Sequence, residues 1–214
     1  MIKGVIFDLD GTLLNTIDDL TNSVNDTYEF FNDERRNTNE QTMSMVGHGM
    51  KNLIINLFPG KDETFILKAL DVFLDAYARQ YTNCTKPYEG IKELVDSLME
   101  KGYKVGVNSN KNNEYTLHLI KMHFPNMNLE YVTGVKPNDK IKPDPTNVNE
   151  IIKKMELNND EVLYVGDSPT DYQTSKNANL KFVGVAWGYR TKEQIYNAGA
   201  DIVVDKADEM LNLL

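Results

Sequence analysis

The chain has 214 residues, 41% hydrophobic and 26% charged, ordinary proportions for a globular protein with one sizeable core or a core plus a small second domain. Its 32 acidic against 23 basic side chains give a formal net charge of −9, which argues against a nucleic-acid surface and against an anionic membrane. A single cysteine, Cys84, excludes an internal disulfide, no apolar run approaches a membrane span, and the first residues lead into a strand without a leader pattern, so a reducing cytoplasm is the expected compartment.

Residues 3–7 read as a buried strand, ending at Asp8-Leu9-Asp10-Gly11-Thr12. Thr16 is a candidate helix N-cap, and Leu20, Val24, Tyr28 and Phe31 follow helical spacing. Val46-Gly47-His48-Gly49-Met50 breaks that pattern, Leu53, Ile54 and Leu57 resume it, and Pro59-Gly60-Lys61-Asp62 is a turn. Residues 63–81 form a long helical pattern, so about 16–80 is a helical block without an obvious strand. After the loop Pro87-Tyr88-Glu89-Gly90 the pattern alternates. Helices are expected at 91–101, 112–123, 148–155, 171–178 and 207–213, with strands at 103–108, 131–133, 162–165, 181–185 and 202–204. Such alternation predicts an α/β fold with a parallel sheet. The helical block is then an insertion after the first strand: a core of residues 1–14 and 87–214, and a small all-helical cap of residues 15–86.

Two acidic clusters stand out. Asp8 and Asp10 lie two residues apart at the end of an apolar run, a spacing that aims both side chains the same way. Carboxylates brought together repel and call for a cation or a shared proton. The second cluster, Gly166-Asp167-Ser168-Pro169-Thr170-Asp171, also follows an apolar run, Val162-Leu163-Tyr164-Val165. One acid before a helix is explained by capping; Asp167 and Asp171 together with Asp8 and Asp10 are not. Both clusters fall where α/β folds place their chemistry, beyond the carboxyl ends of strands.

With these residues, and with Asn108-Ser109-Asn110-Lys111 and Lys142-Pro143-Asp144-Pro145 between them, the chain resembles the haloacid dehalogenase superfamily, in particular phosphoglycolate-phosphatase-like members with a helical cap. The resemblance spans nearly the whole chain and rests on four motifs in order. It implies a Rossmann-like parallel sheet flanked by helices. It also implies that Asp8 is a nucleophile forming a phosphoaspartate, that Asp10 protonates the leaving oxygen and then activates water, and that Thr12, Ser109 and Asn110 bind the phosphoryl group. One lysine neutralises that group: Lys142, with Lys140 as the rival and Lys136 solvated. Asp8, Asp10, Asp167 and Asp171 are the implied metal residues, Asp10 through its backbone carbonyl and Asp171 in support, around Mg²⁺. In the cap, His48 and Lys51 are candidates to touch a substrate carboxylate. Lys111 reads as suggestive or as an ordinary surface lysine, and the aromatics of Trp187-Gly188-Tyr189-Arg190 read as packing.

The implied activity is Mg²⁺-dependent hydrolysis of a small organic phosphomonoester, phosphoglycolate first. Other sugar phosphates, a nucleotide monophosphate, FMN and pyrophosphate are further substrates to weigh. Asp10 disfavours a dehalogenase and a phosphonoacetaldehyde hydrolase, while a β-phosphoglucomutase-like enzyme or a non-catalytic protein on the same fold are the alternatives. The implied partner is a small phosphate ester, with no nucleic acid and no membrane, for a monomer or weak homodimer. The chain crossings near 14–16 and 82–88 are expected hinges for cap movement.

Overall fold

The structure is a computed structural model that describes residues 1–214. The chain divides into two compact units, one of Met1–Leu14 with Pro87–Leu214 and the other of Asn15–Lys86.

In chain order the elements are β1 (Gly4–Phe7), β2 (Leu14–Asn15), α1 (Ile17–Phe30), α2 (Asn39–Met45), α3 (Met50–Leu57), α4 (Glu63–Gln80), β3 (Lys86–Pro87), α5 (Ile91–Glu100), β4 (Lys104–Asn112) and α6 (Asn113–His123). They continue with β5 (Val132–Val135), α7 (Thr146–Lys154), β6 (Val162–Gly166), α8 (Pro169–Asn177), β7 (Lys181–Val185), α9 (Lys192–Ala198) and β8 (Val203–Val204), and the chain closes in a 3₁₀ helix, Ala207–Asn212. No helix is long and apolar enough to cross a membrane.

The first unit is built on a parallel six-stranded sheet in the order β5-β4-β1-β6-β7-β8. Counting only these strands along the chain, the order is 3-2-1-4-5-6, the doubly wound arrangement whose direction reverses beside its first strand. That strand, β1, is buried along its whole length, as a strand covered by helices on both faces must be, so its sequence is a continuous apolar run rather than an alternating one. It pairs with β4 (Val5 opposite Val105) and with β6 (Val5 opposite Leu163). On one side Ile6, Val162 and Tyr164 pack with Val148, Ile151, Ile152 and Met155 of the α7 region. Each fully buried aliphatic side chain of this kind contributes about 1.5–3 kcal/mol.

The second unit contains α1 to α4. Asp62 caps α4 by accepting from the Phe65 N–H, and Thr38 with Gln41 forms a capping box at α2. Tyr28, Phe31, Phe58 and Phe65 pack edge-on or tilted at 4.7–5.7 Å. Asp19 is fully buried in the first turn of α1 and accepts from the Cys84 N–H, the Thr85 N–H and the Thr85 hydroxyl. Its carboxylate thus ties the beginning of this unit to its end. Strands β2 and β3 pair as a two-stranded sheet where the chain passes between the units.

The short strands β2 and β3 are absent from the sequence reading, and three further elements differ from it. Helix α9 is not foreseen, because only Ile195 is buried on it and no apolar period marks it; its capping box (Thr191 with Gln194) and its Gly199 stop, at φ 114°, are what define it. Strand β4 runs on through Ser109-Asn110-Lys111 to Asn112, four residues past its apolar run, with an irregular register against β5 after Asn108. The closing helix is 3₁₀.

Candidate active site

The two acidic clusters meet where the sheet order reverses. Asp8 follows β1, and its N–H donates to the Val165 carbonyl at 2.8 Å, prolonging the β1–β6 ladder by one residue. Asp167 follows β6 directly, and Asp171 lies in the first turn of α8. One carboxylate oxygen from each of Asp8, Asp167 and Asp171 lies within 4.8 Å of the others, and all three residues are buried.

Lys142 stands between two of them. Its ammonium is 2.7 Å from Asp8 Oδ1 and 2.7 Å from Asp171 Oδ1. Burial alone would lower the Lys142 pKa, but the Asp171 and Asp8 charges outweigh it and hold it well above the usual lysine range. Lys140 is exposed and pairs with Asp144 at 3.3 Å, and Lys136 is exposed. Of the three lysines, Lys142 is the one that lies beside Asp8. Its backbone is clamped by Asn110, whose Oδ1 accepts from the Lys142 N–H at 2.7 Å and whose amide nitrogen donates to the Lys142 carbonyl at 3.3 Å.

The aspartates are unequal. Burial, then the neighbouring Asp171, pushes Asp8 well above the ordinary carboxylate range, with Lys142 opposing; Oδ1 also accepts from the Leu9 N–H at 2.6 Å. Burial and Asp171 push Asp167 up to about 7, against the Tyr189 N–H, which donates to Oδ2 at 2.6 Å. Asp171 is engaged on both oxygens, by Lys142 on Oδ1 and by the Ser168 N–H and hydroxyl on Oδ2. The same Ser168–Asp171 pair is the capping box of α8, with Pro169 in its first turn.

Asp10 Oδ1 accepts from the Lys111 ammonium at 2.7 Å. Lys111 is therefore no surface lysine: its side chain is fully buried, because β4 continues past its apolar run beside β1. Ser109 is buried and its hydroxyl accepts from the Lys111 N–H. The Thr12 hydroxyl lies 3.5 Å from Asp167 Oδ1. His48 belongs to the second unit, exposed between α2 and α3, and Lys51 there pairs with Glu63 at 3.1 Å.

The segment after β7 does more than pack. The Trp187 indole N–H donates to the Thr12 carbonyl at 3.0 Å. A Cβ on Gly188 would fall 2.3 Å from both Asp167 Cβ and the Gly11 carbonyl oxygen. Only a glycine lets this strand-end loop lie against the aspartate loops. No local pattern in Trp187-Gly188-Tyr189 shows that contact, since it depends on β7 lying beside β6.

As a cation site the cluster has a suitable make-up. Three buried carboxylates cluster together, and one ammonium pairs with two of them, so the carboxylates outnumber the ammonium and offer oxygen donors only. Hard divalent cations take such donors, and the site offers no sulfur or imidazole.

Residues 5–185 match the haloacid dehalogenase-like hydrolase family. A phosphoglycolate phosphatase of Vibrio parahaemolyticus is 27% identical over 220 residues, covering 100% of this chain and 96% of that protein. Pyrophosphatase PpaX of Listeria welshimeri is 25% identical over 214 residues with the same coverage. A crystal structure from Lactobacillus delbrueckii subsp. bulgaricus superposes with a TM-score of 0.92 at 29% identity, over 99% of this chain and 97% of that one.

Proposed function

We propose a reaction for this chain, which belongs to the haloacid dehalogenase-like hydrolase family and is a phosphatase of that family. It hydrolyses a small organic phosphomonoester through a phosphoaspartate on Asp8. The observation that carries this reading is the placing of Asp8, buried, against Lys142 and beside Asp167 and Asp171 at the sheet reversal. Phosphoglycolate is the first substrate to test, and pyrophosphate the second, since relatives of similar identity carry each activity in their names.

In the first half-reaction an Asp8 oxygen forms a bond to phosphorus. The phosphorus–oxygen bond to the leaving group breaks, its electron pair stays on that oxygen, and the Asp10 proton goes to it. In the second, water attacks phosphorus, its proton passes to Asp10, and the bond to Asp8 breaks to release inorganic phosphate. One residue serves both steps because the first leaves it as the base that the second needs.

Lys142 holds the Asp8 carboxylate through the 2.7 Å contact and supplies positive charge where an anionic nucleophile meets an anionic phosphoryl group. Asp171 and Asn110 hold Lys142 from the side chain and the main chain. Ser109, buried at the same strand end, is assigned to a phosphoryl oxygen. Asp8, Asp167 and the Asp10 carbonyl would hold Mg²⁺, with Asp171 supporting. The ion supplies further charge neutralisation at the phosphoryl group. The Asn15–Lys86 unit is read as the cap that sets substrate choice, with His48 a candidate contact.

The test is phosphate release from phosphoglycolate, sugar phosphates, nucleotides, FMN and pyrophosphate, with Mg²⁺ and with EDTA. Mg²⁺-dependent release with one preferred substrate is expected. Asp8→Asn should lose about 10⁴-fold or more in kcat while still binding inorganic phosphate, as removal of a nucleophile does. Full hydrolysis by Asp8→Asn would overturn the mechanism.

A further inference from the structure

The reaction above uses Asp10 as its proton donor and acceptor, and Asp10 sits on a turn rather than in a strand. Its side chain is about one-fifth exposed, and its backbone bridges to Leu14. A carboxyl so placed has several staggered rotamers open to it. Proton transfer to a leaving oxygen needs one of them, because a misplacement of about 1 Å can cost about 100-fold in rate.

Lys111 is the rigid group against which Asp10 rests. It lies in β4, parallel and adjacent to β1. Its N–H donates to the Ser109 hydroxyl at 3.1 Å, and its carbonyl accepts from the Thr116 hydroxyl at 3.5 Å. A Cβ on Gly134 of the neighbouring β5 would fall 2.6 Å from that carbonyl, so the main chain here is tightly enclosed. The side chain is wholly buried and ends 2.7 Å from Asp10 Oδ1. Burying an ammonium costs several kcal/mol unless it is well paired. The Asp10 carboxylate is a partner that offsets that cost, so the buried ammonium in turn fixes where this carboxylate lies.

We propose that Lys111 is a positioning residue: its buried ammonium holds the Asp10 carboxyl in the one rotamer from which the proton passes to the leaving oxygen. This rests on the phosphatase reading, and its test separates the two. The ratio kcat/KM covers only the steps up to phosphoaspartate formation, so it isolates the leaving-group proton transfer from the later attack by water. Phosphoglycolate has an alkoxide leaving group that needs that proton. p-Nitrophenyl phosphate has a stable phenolate that scarcely does.

Lys111→Met and Lys111→Gln should lower kcat/KM for phosphoglycolate about 100-fold, and for p-nitrophenyl phosphate less than about 5-fold. For p-nitrophenyl phosphate kcat should fall to a value set by the slowed attack of water, with a burst of nitrophenolate. Because both substrates are read on one preparation, the ratio does not depend on how much of a variant folds. Equal losses on the two substrates, or no loss on phosphoglycolate, would overturn the assignment and leave Lys111 a structural residue. A wild-type chain that releases phosphate from neither of these esters nor any other member of the panel would overturn the phosphatase reading and this inference with it. Activity in the wild type, its loss in Asp8→Asn and an unchanged substrate ratio in the Lys111 variants would sink only the inference.

Discussion

Asn110 reaches the site through another residue's main chain. Its side-chain amide makes two hydrogen bonds to the Lys142 backbone, while Asp171 takes the Lys142 ammonium. The lysine is thereby held at both ends, which is what its proposed role beside Asp8 and an incoming phosphoryl group requires. Asn110→Ala removes the backbone half of that clamp. The expected result is a fall of about 10- to 100-fold in kcat, together with a loss of about 1–3 kcal/mol in stability from the stranded Lys142 groups. Steady-state kinetics and urea unfolding check it. Lys140→Ala, at an exposed pair two residues away, should leave kcat unchanged. Equal kinetic effects of the two substitutions would remove the clamp from the account.

At the scale of elements, four strand ends converge. The β1 end supplies Asp8 and Asp10, the β4 end Ser109 to Lys111, the β6 end Asp167, and the β7 end the Trp187-Gly188-Tyr189 loop. This last loop supports the others: Trp187 holds the Thr12 carbonyl, and Tyr189 donates to Asp167. Gly188 is where it touches them, so Gly188→Ala must push Asp167 or the Gly11 carbonyl aside. Mg²⁺ affinity, read by calorimetric titration, should fall about 10- to 100-fold, the usual effect of disturbing the groups that orient metal ligands. Gly60→Ala is the control. A Cβ there meets nothing within 4 Å although φ is +79°, so it should cost about 1 kcal/mol of stability and leave Mg²⁺ affinity unchanged.

For the whole molecule, the acidic cluster opposes folding when no cation is bound. Asp8 and Asp167 are both held above the ordinary carboxylate range, Asp167 at about 7, so the folded state binds more protons than the unfolded state across that interval. Their contribution to stability is therefore present at low pH and is lost as pH rises from about 4 through about 7. A divalent cation held by these carboxylates, as proposed, would take the place of those protons. The rise in Tm between EDTA and Mg²⁺ should accordingly be larger at about pH 8 than at about pH 5.5. An equal rise at both would count against a carboxylate cation site.

How much of this was legible along the chain follows from the range of each interaction. Apolar runs that end abruptly in Asp8 or in Gly166-Asp167 mark buried parallel strands with acids at their carboxyl ends, because a strand covered on both faces must be apolar throughout. The alternation of helix and strand beyond residue 87 is likewise a local property, and it is enough to specify the class of sheet. Helix α9 escaped because its boundaries rest on capping rather than on an apolar stripe. Lys142 is preferred over Lys140 along the chain only by the resemblance of Lys142-Pro143 to a family motif; that its ammonium lies beside Asp8 is a tertiary fact. Lys111 has a similar history: a lysine just past an apolar run reads as solvated until β1 is laid beside β4. What the sequence by itself determined is the set of strands and the acids at their ends, through short-range patterning of polarity. What only the tertiary structure decided is which cation meets which carboxylate, because those pairs join residues 101 and 134 positions apart and exist only once the strand order brings them together.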